Sequence, residues 1–251
     1  YCLNKAQKEL TSGKKHRGLV EIKPDIAKAG MHIDGVKKTN GKGFEHIDPA
    51  AVGNERKLLV SELAGRSALV EKIKEFQPRT GLNKTSPQIA EIYKELKQKE
   101  NEGYEYEAAE GSFRILVEKS LGNFSQKFVV KYYNVEVEQK QDAVAAEAQI
   151  VIVDRKGEEY FSKVSGNGPV DALSEALHDA LKKIFPQSNK IHLIDYKIKV
   201  LNGIEGSSAL ARVWIEFSTK KKRWATVSVS TNIIKASLHA LVEGMEYGLS
   251  F

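Results

Sequence analysis

A single cysteine, Cys2, stands among 251 residues, so an intrachain disulfide is excluded, and such usage fits a reducing cytoplasm. Without a neighbouring His and Asn context, Cys2 reads as incidental rather than as a catalytic thiol. No apolar run approaches the length of a membrane span, and Tyr1 to Ser12 lacks the apolar core of a signal peptide. The expectation is a soluble, cytoplasmic protein with no membrane partner. Concentrated charge is missing as well. The formal net charge is +6, but the basic residues are spread along the chain. The densest runs are Lys14-Lys15-His16-Arg17 and Lys220-Lys221-Lys222-Arg223. Neither is accompanied by stacking aromatics, so nucleic acid is not expected as a partner. The second run lies between two strand-like segments and reads as a solvated hairpin turn.

With 41% apolar residues, the chain can bury two cores, and two domains are expected. Up to residue 122 the pattern is helical and loop-rich. Asn54 to Phe76 has helix-like apolar spacing interrupted by Gly65. Ser86-Pro87 opens a second helix that runs to about Lys99 and stops at Asn101-Glu102-Gly103. A third, about Glu105 to Leu121, places Phe113, Leu116, Val117 and Leu121 on one face. From residue 123 to 251 the period falls to two. Phe128 to Glu138, Val144 to Val153 and Glu159 to Ser165 read as strands, with a turn at Asp154 to Gly157. Gly166-Asn167-Gly168-Pro169 then opens a helix with an apolar stripe of Leu173, Ala176, Leu177, Leu181 and Ile184, ended by Pro186.

The same order returns. Ile191 to Val200, Ser208 to Phe217 and Trp224 to Val229 read as strands, with turns at Asn202-Gly203 and Lys220 to Lys222. A helix follows from about Asn232 to Tyr247. Val164-Ser165-Gly166-Asn167 aligns with Val229-Ser230-Thr231-Asn232, and at the same offset Leu173, Ala176 and Leu177 meet Leu238, Leu241 and Val242. The fold class expected is α+β: a helical region followed by two packed βββα repeats, about 124–187 and 190–251. One such unit is marginal alone, so the copies should pack together and a homodimer is expected.

Several ordered landmarks carry a family resemblance. They are Lys28-Ala29-Gly30-Met31-His32, Phe44-Glu45-His46-Ile47-Asp48-Pro49, Leu59 to Ser67, Gly103 to Glu110, Gly166-Asn167-Gly168-Pro169-Val170, Asp195-Tyr196-Lys197 and Arg223 to Val227. From Lys28 to Phe251 the chain resembles the post-barrel part of the citramalate, 2-isopropylmalate and homocitrate synthase family, the citramalate branch in particular. The resemblance implies a full-length acyltransferase that condenses acetyl-CoA with a 2-oxo acid, pyruvate favoured. It also implies feedback regulation by isoleucine or leucine. The divalent metal (Mg or Mn) and acetyl-CoA are expected in a catalytic TIM barrel that this chain does not contain, so no cofactor and no catalytic residue is assigned to the chain. The family's active-site His and Tyr correspond to Ala27 and Phe44 here and do not carry over. His32 and His46 read as structural or surface residues.

Gly166 to Pro169 admits two readings from the residues alone. It is a helix start capped by Asn167 with Pro169 in the first turn, or a close backbone approach with free N–H groups for an anion. The resemblance implies the second, as an amino-acid effector site. The effector-binding residues it implies are Gly166, Gly168, Val170, Leu193, Asp195, Tyr196, Val200, Ala209 and Ala211. A free-standing amino-acid-binding module without catalytic activity is the alternative to the synthase reading.

Overall fold

The computed structural model describes residues 65–140, 143–201 and 209–251. The expectations on Cys2, Lys14 to Arg17, Ala27 to Val36, Phe44 to Pro49, Asn54 to Ala64 and Asn202-Gly203 lie outside the described residues. Two compact units divide the chain, Tyr1–Phe76 and Gln77–Phe251. In the first, the described element is α1 (Arg66–Phe76), with Leu69, Val70 and Ile73 buried.

The second unit opens with α2 (Pro87–Asn101) and α3 (Glu110–Ser120). Proline at the first position of α2, after an extended Ser86, gives the helix a defined start. Ile89, Ile92 and Leu96 form its buried stripe. The third helix begins at Glu110, five residues later than its periodicity suggests. The backbone before it is engaged elsewhere, as described below.

Strands β1 (Phe128–Lys140), β2 (Ala143–Asp154) and β3 (Glu159–Gly166) form an antiparallel sheet in chain order, followed by α4 (Pro169–Ile184). A short 3₁₀ turn, Pro186–Lys190, leads to the second sheet, β4 (His192–Val200), β5 (Ala211–Ser218) and β6 (Arg223–Ser230), followed by α5 (Ile233–Gly248). The mixed architecture of two repeated βββα units is therefore present as the periodicity indicates. Each first strand also carries an irregularity that periodicity does not reveal: the register shifts between Val130 and Tyr132 in β1, and between Leu193 and Asp195 in β4.

One face of each sheet packs on its own helix. Ala148, Ile150 and Ile152 lie in one core with Leu173, Leu177 and Leu181 of α4, and the same core continues through Val213, Ile215, Phe217, Leu238 and Leu241. Each fully buried Leu or Ile contributes roughly 1.5–3 kcal/mol. Trp224 is 2% exposed, stacks on Phe217 with centroids 5.9 Å apart, and donates from its indole N–H to the Gly244 carbonyl at 3.0 Å. The β5–β6 turn is present where the lysine run predicts it, with the Thr219 N–H donating to the Lys222 carbonyl. Lys222 itself is not simply solvated: its ammonium donates to the Tyr247 hydroxyl at 2.6 Å and lies 4.6 Å from the Phe251 ring centre.

Glu246 ties the last helix to the first strand. This 2%-exposed carboxylate accepts the Lys127 N–H at 2.8 Å and the Phe128 N–H at 3.1 Å, with the Lys127 ammonium 3.6 Å away. Removing it leaves two backbone donors and a cation without their acceptor. Glu246→Ala is expected to lower unfolding free energy by about 2–4 kcal/mol, measured by denaturant titration.

His178 in α4 and His239 in α5 both have pKa values depressed, chiefly by burial, with Lys182 beside His178 and Lys235 beside His239 adding to the effect. The unfolded chain therefore binds these protons more readily than the folded one. Their contribution is complete above the unfolded value of 6.5 and is lost as pH falls below it. Denaturation midpoints between about pH 7.5 and 5.5 should fall as pH drops, and His178→Gln should flatten that slope.

Candidate functional site

The nine residues assigned from sequence fall on two places in the fold. Gly166 ends β3, Gly168 is the N-cap of α4, and Val170 lies in that helix's first turn. The others belong to the second repeat: Leu193, Asp195, Tyr196 and Val200 on β4, with Ala209 and Ala211 leading into β5. No hydrogen bond among the described residues joins the first group to the second.

The two glycines of the first group do different work. A Cβ on Gly166 would lie 2.4 Å from the Ala172 nitrogen and 2.7 Å from its Cα, so glycine there allows the strand to meet the helix. Gly168 is extended, at φ −165 and ψ 172, and a Cβ there would meet nothing within 4 Å. Neither backbone geometry nor packing requires Gly168 to be glycine. Its effect is to leave α4 without a side-chain cap. Asn167 does not cap the helix, contrary to the helix-start reading: its backbone and side-chain N–H groups donate instead to Asp171 Oδ2 at 2.8 and 3.1 Å.

The equivalent helix start in the second repeat is closed. Asn232 is the N-cap of α5, and its side-chain oxygen accepts the Lys235 N–H at 3.0 Å. Two helices related by the repeat thus begin differently, one satisfied by its own asparagine and one open to an external acceptor.

On β4 the bulge decides which residues share a face. Leu193 pairs with Phe217, Tyr196 with Ile215 and Val200 with Ala211, so these side chains lie on the helix-covered side of the sheet. Asp195 pairs with Glu216 and points to the other side. The geometry therefore groups Leu193, Tyr196, Val200 and Ala211, and separates Asp195 from them. Asp195 forms an ion pair with Lys197, whose hydrogen bond holds its carboxyl below the usual range. Tyr196 donates to or accepts from Ser237 of α5 at 2.8 Å, and burial pushes its phenol pKa upward. Ala209 is buried at 7% exposure.

Ile198 belongs with this group although no motif named it. It pairs with Val213 on the same face as Tyr196 and Val200 and is 43% exposed. Two-residue periodicity from Tyr196 would have found it. Ser237, which holds the Tyr196 hydroxyl, was invisible to local pattern because it lies forty-one positions away in sequence.

A half-open cavity of about 480 Å³ lies elsewhere, lined by Lys127, Arg155, Lys183, Phe185 and Leu249 among others. None of the nine residues borders it. Three of its lining cations donate to backbone carbonyls, Arg155 to those of Ser125 and Gln126, Lys183 to that of Phe161 and Lys127 to that of Glu246. Among the described residues there is no group of three or more His, Cys, Asp or Glu side chains able to hold a metal ion, and no helix is long and apolar enough to cross a membrane.

The sequence pattern of the LeuA allosteric (dimerisation) domain matches residues 107–249, and that of the homocitrate synthase post-HMGL domain-like family matches residues 26–104. Among curated relatives, an (R)-citramalate synthase of Aquifex aeolicus is 40% identical over 223 residues, covering 88% of this chain and 42% of the relative. One from Synechocystis is 40% identical over 226 residues, 88% of this chain and 41% of the relative. A 2-isopropylmalate synthase of Methanocaldococcus jannaschii is 29% identical over 222 residues, 86% of this chain and 40% of that protein. The chain spans about two fifths of the length of these relatives.

The two glycines can be told apart by stability alone. Gly166→Ala should cost about 1–3 kcal/mol by forcing backbone apart, whereas Gly168→Ala should change stability by less than about 0.5 kcal/mol. Paired denaturant titrations measure both.

Proposed function

The chain belongs to the LeuA allosteric-domain family, and on that premise we propose that it is the regulatory part of a citramalate synthase. The whole protein would condense acetyl-CoA with a 2-oxo acid, pyruvate by the likeness to citramalate synthases. A divalent metal and acetyl-CoA would be held outside this chain, and no step of that chemistry is assigned to its residues. Within the chain, 123–251 would form the effector-binding domain, acting as a homodimer in the cytoplasm. The free-standing binding module is the less supported reading, because the similarity to the synthases extends over both matched segments.

The effector is an aliphatic amino acid, isoleucine in preference to leucine. The observation that carries this is the open N-terminus of α4 at Gly168, where neither backbone conformation nor packing demands a glycine. The N–H groups of Val170 and Asp171 lie in the uncapped first turn, and an amino-acid carboxylate would accept from them. Asp171 already holds the neighbouring Asn167 N–H, so the incoming carboxylate is left the donors further into the turn. Leu193, Tyr196, Ile198, Val200 and Ala211 supply the apolar wall for the side chain, and burying it would contribute roughly 1.5–3 kcal/mol. Because the loop and the wall lie on different repeats, the second copy in a dimer would bring a wall to each loop. Asp195, on the opposite face of β4, has no contact with the effector in this arrangement.

Titration calorimetry with isoleucine, leucine and valine on the dimer tests the proposal. Isoleucine should bind most tightly. Gly168→Asn, which supplies the cap that Asn232 provides in α5, should weaken binding at least about tenfold, or 1.4 kcal/mol, while preserving stability. No heat from any of the three would refute the effector assignment.

A further inference from the structure

Strand β5 is covered on both faces. Inward, Ala211, Val213, Ile215 and Phe217 are all 2% exposed or less and continue the face that carries Tyr196 and Val200. Outward, its alternate residues grip the segment between α2 and α3. The Arg212 guanidinium donates to the Gly103 carbonyl and pairs with Glu105, and the Trp214 indole donates to the Ala108 carbonyl at 3.0 Å.

That segment is seated without slack. Gly103 has φ +98, which favours glycine, and a Cβ on it would lie 2.3 Å from Leu201 Cδ1. Leu201 follows Val200 directly and donates its N–H to Leu210 at 2.8 Å. Further on, Ser112 accepts the Val227 N–H at 2.9 Å and donates to Glu243 at 2.5 Å, so α3 is fastened to both β6 and α5. Of these contacts Arg212 is the most enclosed charged one, with its side chain 16% exposed.

We infer that Arg212 is a positioning residue that couples the amino-acid pocket to the Gly103–Ala109 segment. The inference rests on the pocket reading given above. One strand presents the pocket wall at Ala211 and holds the linker at Arg212 and Trp214. A shift of β5 that accommodates the effector therefore displaces the backbone at Gly103, and α3 follows through Ser112. Lys197, which lies 4.4 Å over the Trp214 ring and pairs with Asp195, adds β4 to the same contact. Asp195 then acts on the linker side of the sheet rather than on the ligand.

Hydrogen exchange of the 251-residue chain, with and without isoleucine, tests this alongside calorimetry on the same samples. Isoleucine should slow exchange of amides 103–112 at least about threefold in the native sequence. Arg212→Ala should bind isoleucine within about threefold of the native affinity and lose that slowing. Glu105→Gln, a milder change at an exposed partner, should reduce it. Heat of binding with no response at 103–112, or an undiminished response in Arg212→Ala, overturns the coupling role alone. The absence of binding heat in the native chain overturns the pocket reading, and the coupling role with it.

Discussion

The Glu246 carboxylate holds the first strand of the first repeat to the last helix of the second, and the remaining geometry depends on that closure. It accepts two adjacent backbone N–H groups, Lys127 and Phe128, from a position with 2% exposure. A buried carboxylate is tolerable because these donors and the Lys127 ammonium replace water. With β1 fixed to α5, both helices share one core.

Within that frame the repeats differ in two ways. One helix start is capped by Asn232 and the other lacks a side-chain cap at Gly168, so internal duplication yields two unequal helix starts. The outer face of the second sheet is occupied by the 103–112 segment, whereas on the first sheet Val129, Tyr132 and Phe161 are about half exposed. On the proposed reading, the second repeat would combine pocket wall and attachment of the 103–112 segment on a single strand. The helices before residue 122 that periodicity separates from the sheets pack with them from Gln77 onward in one compact unit.

The periodicities of 2 and 3.6 made the order of elements and the doubling legible, because each element buries one face and the pattern of apolar residues records which. The bulges at Lys131 and Ile194 were not legible: an inserted residue reverses the faces after it without altering composition. For that reason Leu193 and Tyr196, three positions apart, share a face, while Asp195 and Tyr196 sit on opposite sides by the ordinary alternation of a strand. The start of α3 departs from its periodicity because Gly103 to Ala109 answers to Arg212 and Trp214, more than a hundred positions away, rather than to local propensity. Gly166 and Gly168 looked equivalent in sequence, and only the positions of Ala172 and of empty space distinguish a packing glycine from one that leaves donors free.

The most direct measurement of the central claim is a titration of the ¹⁵N-labelled chain with isoleucine, followed by amide resonances. A carboxylate held at the open helix start should shift the Val170 and Asp171 amides downfield, and leave Lys235, already capped by Asn232, unmoved. Saturable binding that leaves Val170 and Asp171 in place would contradict the account.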